Sequence, residues 1–236
     1  MSRLGIDIDP VALIRNIFAT KIPDPAHLCV LGEMGGAESI VGFFREDIRS
    51  LTERDVSVLK EIVKSHLNIK TTANDETVRK LLKIKPDMIT FVSEEKESSI
   101  LPTTVNLEEN IRSLSDYIAD ARANNIATSV FIEPNLQSIK QAGKLEFDYV
   151  ELNVTSFTAA EDLDKQIAEL ETLNTLVISA NKLGMGVNIS GGITQDNIKE
   201  LAKIHYLDDI IVSDSLLVKA LAIGFEQAVR DFVSII

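Results

Sequence analysis

The chain has no tryptophan, one cysteine, three histidines and six prolines in 236 residues. The single cysteine, Cys29, excludes an intrachain disulfide and fits a reducing compartment; it reads as a small buried residue. No apolar run reaches the roughly 18 to 20 residues that span a bilayer, and the N-terminus turns charged within a few positions, so a cytoplasmic protein without a membrane partner is expected. Positive charge is also short. The 24 Lys and Arg are outnumbered by 36 Asp and Glu, giving a formal charge of -12, and they are scattered along the chain. A phosphate backbone would be repelled, which excludes nucleic acid as a partner. There is no Gly-rich dinucleotide turn, no Walker loop, and no His, Cys or carboxylate grouping at metal-ligand spacing. No linker, low-complexity tract or fixed-period repeat interrupts the sequence, so residues 1–236 are expected to form one domain.

What is present is an alternation of short apolar runs with helical patterns. Eight runs are read as strands: Leu4 to Asp9, Ser39 to Phe44, Asn68 to Ala73, Asp87 to Ser93, Ala127 to Glu133, Tyr149 to Val154, Gly186 to Ser190 and Asp209 to Asp214. Helical spacing follows each; in Thr52 to Leu67, Val56, Leu59, Ile62, Val63 and Leu67 share a stripe, and Thr52 with Asp55 forms a capping start. Eight βα units at this length predict an α/β fold, a (β/α)8 TIM barrel. Extra helices are expected in residues 11–36, where Pro23 and Pro25 separate two helical pieces, in residues 94–125, and in residues 158–184.

In such a barrel the site lies where the βα loops converge, at the C-terminal ends of the strands. Asp7 and Asp9 end the first strand. Arg45, Glu46, Asp47 and Arg49 follow the second, and Lys70 lies on the third. Glu94 to Lys96 follow the fourth, and Glu133 ends the fifth. Glu151 and Asn153 sit on the sixth, Asn188 and Ser190 to Gly192 end the seventh, and Ser213 to Ser215 end the eighth. His27, His66 and His205 fall towards the opposite, structural face, which leaves carboxylates and Lys70 for proton transfer. Glu151 is flanked by apolar residues, so it is either used chemically or held in an internal ion pair, with Lys70 as the candidate partner. Lys70 can form a Schiff base with a carbonyl substrate, or serve as an electrostatic partner for Glu151 or for an anionic ligand. The Ser190-Gly191-Gly192 turn, with Thr194 as a helix cap, either holds phosphate on its backbone amides or is a bare tight turn. Asp214 nearby works against an anion.

Several segments resemble the pyridoxine 5′-phosphate synthase family of the deoxyxylulose-dependent vitamin B6 pathway. They run in order from Gly5-Ile-Asp-Ile-Asp9, Arg15-Asn16 and Pro23-Asp-Pro25 through Gly36-Ala37, Arg45-Glu-Asp47, Arg49 and Thr52-Glu-Arg-Asp-Val56. Lys85-Pro86, Val130-Phe-Ile132, Val150-Glu-Leu152, Leu183-Gly184, Val187-Asn188 and Gly192-Ile-Thr194 continue the register. The resemblance implies a barrel whose extra helices make dimers and higher homo-oligomers, and no metal or organic cofactor. It implies condensation of 1-deoxy-D-xylulose 5-phosphate with 3-amino-2-oxopropyl phosphate.

This chain departs from the family pattern where the family moves protons. A histidine after the second strand becomes Phe43, a glutamate on the third becomes Lys70, and a histidine in the seventh-strand turn becomes Gly191; the sixth-strand glutamate is kept as Glu151. The first-loop Asn-Ile-Asp-His reads Asp7-Ile-Asp9-Pro10. The Gly-His of strand eight reads Ser213-Asp214, an arginine position reads Phe18, and a later glycine reads Val218. Two readings follow. In the first, a barrel binds a small anionic, phosphorylated metabolite through Asp7, Asp9, Arg45, Arg49, Asn188, Ser190, Gly191, Gly192 and Ser213, and catalyses a related carbonyl condensation with Glu151 and Lys70. In the second, a non-catalytic scaffold or partner subunit assembles with an active synthase. The literal synthase activity stands third, because phenylalanine and glycine transfer no protons.

Overall fold

The structure is a computed structural model that describes residues 2–47, 49–94 and 100–236, the side chains of Asn110 and Arg112 excepted. Eight parallel strands close a barrel in sequence order, β1-β2-β3-β4-β5-β6-β7-β8, with β1 paired to β8. They are β1 (Arg3–Asp7), β2 (Ser39–Phe43), β3 (His66–Thr72), β4 (Met88–Val92), β5 (Ala127–Ile132), β6 (Tyr149–Asn153), β7 (Gly186–Ser190) and β8 (Asp209–Val212). Near-continuous apolar runs such as Met88–Val92 form strands because a parallel barrel strand is covered on both faces. The (β/α)8 TIM barrel read from the sequence is therefore the fold.

The helices follow the strands: α1 (Asp9–Ile17) and α2 (Pro25–Gly35), α3 (Glu53–Ile62), α4 (Asp75–Ile84), α5 (Leu107–Ala123), α6 (Leu136–Lys144), α7 (Thr155–Thr158) and α8 (Leu163–Lys182), α9 (Ile198–Leu201), then α10 (Asp214–Ile223) and α11 (Phe225–Val233). Several start where a side chain takes a free backbone N–H. Asp24 caps α2, Asn74 caps α4, and Thr52 with Asp55 makes a complete capping box on α3. One core cluster runs between strands and helices, with Ile6, Ile40, Leu67, Ile89, Val130, Val150 and Ile189 at its centre.

Four local expectations are corrected. The helix expected over Thr52 to Leu67 ends at Ile62; Val63 turns extended and Leu67 belongs to β3, which begins at His66. Asp9 does not end a strand but opens α1, after Ile8 breaks the extended backbone. Thr194 is not a helix cap. The helix after β7 is the four-residue α9, preceded by Asn197, whose side chain accepts the Thr194 N–H at 2.8 Å. The long helical run expected over 158–184 starts later: α7 ends at Thr158, and the run's helix is α8, Leu163–Lys182, capped by Asp162. Glu95 and Lys96 lie outside the described residues. Among the described residues no helix is long and apolar enough to cross a membrane.

Candidate active site at the C-terminal mouth of the barrel

Alternation along the strands decides which residues meet inside, since every second side chain points to the same face. Phe43 is in register with Lys70, and Phe131 with Glu151, which in turn is in register with Asn188. Phe43 ends β2, Lys70 and Phe131 lie near the C-terminal ends of β3 and β5, and Glu151 and Asn188 lie at the middle of β6 and β7.

At the centre, Lys70 Nζ lies 2.6 Å from Glu151 Oε1, with side chains 4% and 0% exposed. The Ser190 hydroxyl donates to the same Glu151 oxygen. Glu151 Oε2 is buried and has no hydrogen-bond partner. Burial alone would make the Lys70 ammonium easier to discharge, but Glu151 and, next, Asp7 outweigh that and raise its pKa above the usual lysine value. Of the two roles open to Lys70, the geometry favours the charged partner over the neutral Schiff-base nucleophile. The Lys70 ammonium also faces the Phe131 ring, 5.5 Å from its centroid.

Asp7 and Asp9 stand at the β1 edge of the same mouth. Asp7 Oδ1 accepts the Asp9 N–H at 2.9 Å, and Asp9 Oδ1 accepts the Phe43 N–H at 2.7 Å. Burial raises both carboxyl pKa values. For Asp7 the Lys70 charge partly offsets it; Asp9 is pushed well above the usual range because the Asp7 charge adds to burial.

The β2 to β5 side of the mouth is apolar. Phe43, Val92 and Phe131 pack together there, and the Arg45 guanidinium lies over the Phe43 ring, 3.9 Å from its centroid. Arg45 Nε pairs with Glu94 Oε1 at 2.8 Å, and Arg45 Nη2 donates to the Ile100 carbonyl at 2.8 Å, so one arginine ties two points of the β4–α5 connection to β2. Burial lowers the Arg45 pKa while Glu94 opposes the shift. Arg49 pairs with Asp47 and reaches Glu94 at 3.6 Å. Glu46 points away from the axis, to Lys80 on α4.

On the opposite side the chain turns sharply after β7. Gly191 and Gly192 have φ of +114° and +65°, and a Cβ on Gly191 would meet Thr155 Oγ1 at 2.7 Å and Asn153 Oδ1 at 2.8 Å. The Gly191 carbonyl accepts the Thr158 hydroxyl at 3.0 Å, and the Ser215 hydroxyl bonds the Ile193 carbonyl, joining this turn to the start of α10. Ser213 precedes α10 without capping it, and Asp214 places a carboxylate in its first turn, where the helix dipole is already favourable to negative charge. Asn188 is fully buried and its Oδ1 accepts the Asp209 N–H at 3.2 Å, a structural bond inside the barrel. Glu133 bonds Thr104 and Asn153 at the rim.

The structure thus brings together Asp7, Asp9, Lys70, Glu151 and Ser190 at one mouth, with Arg45 over its apolar side. Arg49 lies at the outer edge. The apolar wall of Val92 and Phe131 was missed by sequence reading, although the alternation that turns Ser129 inward does the same for Phe131. A cavity of about 550 Å³ lies beside the barrel axis rather than on it, between α1 and the β2–α3 loop, lined by Arg15, Asn16, Phe44, Arg45, Thr52 and Lys80 among others. We take the mouth as the chemical site, because it lies at the C-terminal ends of the strands and holds a buried carboxylate oxygen without a hydrogen-bond partner, Glu151 Oε2. Among the described residues no group of three or more His, Cys, Asp or Glu is placed to hold a metal ion.

Residues 4–236 match the family model described as pyridoxal phosphate biosynthesis protein PdxJ. The chain is 34% identical over 236 residues to a pyridoxine 5′-phosphate synthase of Pelobacter propionicus, covering 100% of this chain and 99% of that one. It is likewise 34% identical over 236 residues to one from a Prochlorococcus marinus strain, with the same coverage. Among solved structures it is similar to KGPDC from Streptococcus mutans, with a TM-score of 0.66 at 13% identity, covering 100% of this chain and 97% of that one. Phosphoribosylanthranilate isomerase from Thermotoga maritima gives a TM-score of 0.61 at 12% identity, covering 100% and 98%. The last two share the fold.

Proposed function

This chain belongs to the PdxJ family of pyridoxal phosphate biosynthesis proteins, and from that premise we propose that it binds a phosphorylated carbonyl metabolite at the barrel mouth and catalyses a carbonyl condensation related to that of its synthase relatives. The observation that carries this reading is the buried Lys70–Glu151–Ser190 cluster with its unpartnered Glu151 Oε2. A fully buried acceptor without a partner is costly, and it is tolerated where a ligand group supplies the missing bond. Lys70 acts as a fixed ammonium that stabilises negative charge on the substrate carbonyl oxygen as it develops. Arg45 and Arg49 exchange Glu94 for the substrate phosphate, and the Ser190-Gly191-Gly192 turn with Ser213 orients the other end. No cofactor takes part in this scheme, and a homo-oligomer is its assembly.

The synthase reaction named for the relatives is a different reading. The relatives' name favours it; the side chains at the mouth do not, since Phe43 and Gly191 offer no proton where the family resemblance places histidines. Complementation of a strain lacking its synthase separates the two. We expect no growth without added vitamin. Formation of pyridoxine 5′-phosphate by the purified protein from 1-deoxy-D-xylulose 5-phosphate and 3-amino-2-oxopropyl phosphate would instead establish the literal activity. Calorimetric titration with 1-deoxy-D-xylulose 5-phosphate tests the binding half: we expect saturable binding, weakened at least tenfold by Arg45→Ala, about what losing one charge-assisted contact costs.

A further inference from the structure

The barrel closes where its first strand meets its last, and one ion pair lies across that seam. Arg3 opens β1 in register with Asp209, which opens β8, and Arg3 Nε donates to Asp209 Oδ1 at 2.7 Å. This is the N-terminal end of the barrel, opposite the mouth. Asp209 is fully buried, and among the described residues nothing bonds its second oxygen, Oδ2. Two strands on, His66 opens β3 in register with Ser39, which opens β2. The His66 side chain is half-buried, and its Nδ1 is buried and likewise without a partner among the described residues. Also facing it is a second ion pair, Lys60 Nζ with Asp87 Oδ1 at 2.8 Å, in which Asp87 Oδ2 accepts the Leu67 N–H. The charged groups around His66 are therefore Asp209 from β8, Arg3 from β1, Asp87 from the α4–β4 connection and Lys60 from α3. These two anions and two cations oppose one another, and burial works against a charge on the imidazole.

We propose that His66 is a proton-operated release of the barrel seam: on acidification its imidazolium engages Asp209 Oδ2, draws that carboxylate from Arg3 and loosens β1 from β8. The chemistry is one reversible proton uptake from solvent. In the neutral ring one nitrogen donates and the other accepts, whereas in the imidazolium both donate, so the idle Nδ1 becomes a donor facing an idle carboxylate oxygen. Arg3 and His66 then compete for one carboxylate. The Arg3 side chain, 34% exposed, can turn to water; the His66 Nδ1 is buried and cannot. Burial outweighs the Asp209 and Asp87 charges and holds the His66 pKa below the usual 6.5. Between 6.5 and that folded value the unfolded chain carries a proton that the native state lacks, so stability falls as pH drops through the interval. The loss shows first at the seam, because β8 is the shortest strand, four residues long, and pairs with β7 only at Ile210 and Ile211.

This inference is independent of any ligand at the mouth. Its test is proton NMR of the full chain over about pH 5 to 8, following the His66 Cε1–H resonance assigned through its backbone, with hydrogen exchange of the β1 and β8 amides read against those of β4 and β5. We expect His66 to titrate below 6.5. Asp209→Asn should lower that midpoint further, since it removes an anion that favours the imidazolium. Exchange in β1 and β8, corrected for its intrinsic pH dependence, should quicken relative to β4 and β5 by up to about tenfold for each pH unit between 6.5 and the His66 midpoint. His66→Gln should abolish that difference. Titration of His66 at or above 6.5, exchange that quickens equally in all four strands, or a seam response that survives in His66→Gln overturns the proposal. The titration and the strand comparison are both made on the unaltered protein, so they decide the matter even where a variant does not fold.

Discussion

Lys70 and Glu151 meet across the mouth of the barrel at 2.6 Å, one on β3 and the other on β6, with neither side chain more than 4% exposed. A pair held this far from water is expensive to break and cheap to replace, because removing one partner leaves the other charge buried alone. Glu151→Gln and Lys70→Met should each lower unfolding free energy by about 3 to 5 kcal/mol, whereas the double change Lys70→Met with Glu151→Leu should cost much less. Urea denaturation of the four proteins checks this; additive single costs would mean the two residues act independently. The Lys70 pKa is raised above the ordinary lysine value of 10.5, so its contribution is complete below that pH and is lost only as pH rises through the folded value. The pair's coupling energy should therefore be flat between neutrality and about pH 9.

Asp9 predicts the opposite pH dependence. Its folded pKa lies well above the unfolded value of 3.8. In that interval the native state holds a proton that the unfolded chain has released, so stability falls as pH rises from about 4 towards the folded pKa. Asp9→Asn removes the titrating group; it should flatten that slope and make the protein more stable at neutral pH. Thermal melts from about pH 4 to about pH 8 measure it. An unchanged slope would show that the charge is not penalised by folding.

Arg15 and Asp55 form a two-pronged pair, Nη1–Oδ1 at 2.6 Å and Nη2–Oδ2 at 2.7 Å, and Asp55 also accepts the Thr52 N–H at 2.9 Å. Burial would raise the Asp55 pKa, but the Arg15 and Thr52 bonds outweigh it and hold the carboxyl below the usual value. Asp55→Ala should cost about 3 kcal/mol, since it strands a buried guanidinium, against about 1 kcal/mol for Thr52→Ala, which loses the cap and the hydroxyl's bond to Asp55 but leaves the Arg15 pair in place. Denaturant midpoints rank the two. As the folded pKa is depressed, this contribution is present above the unfolded value of 3.8 and disappears as pH falls through the folded one.

Gly191→Ala should destabilise the protein by about 1 to 3 kcal/mol, through the positive φ and the approach to Asn153 and Thr155, and it should weaken ligand binding at the turn. The close approach separates this from the outward Gly184, where a Cβ meets nothing within 4 Å, although φ is +85° there as well. Gly184→Ala should leave ligand affinity unchanged, which calorimetry on both variants tests.

Phe43→Ala should cost about 3 to 5 kcal/mol, the range for emptying a buried aromatic site, because Phe43 is fully buried against Val92 and Phe131 and carries the Arg45 guanidinium. Chemical denaturation with an Arg45→Ala control divides the packing loss from the loss of stacking.

The barrel was legible because its evidence is periodic. Eight apolar runs at regular intervals, each followed by helical spacing, leave little choice of topology, and strand β7 (Gly186–Ser190) carries the bounds read from its pattern. Boundaries failed where a residue is compatible with two neighbours. Leu67 fits the helical stripe of α3, yet β3 claims it, because pairing with β2 begins at Ser39 and His66. Thr194 has a capping side chain but no helix close enough to cap, since the chain after the glycine turn stays irregular until Ile198.

The site divides along the same line. Sequence alone placed Asp7, Lys70 and Ser190 at strand ends and Glu151 on the sixth strand, because strand period and barrel polarity fix which end carries chemistry. It raised the Lys70–Glu151 pair as one alternative for Glu151. Only the tertiary structure decided which neighbours each group meets: Lys70 with Glu151 81 positions away, Phe43 with Asp9 34 positions away, Arg45 with the Ile100 carbonyl 55 positions away. Those encounters set charge state and orientation. They depend on barrel closure, which brings distant segments into hydrogen-bond contact with one another, and no local pattern in the chain encodes that distance.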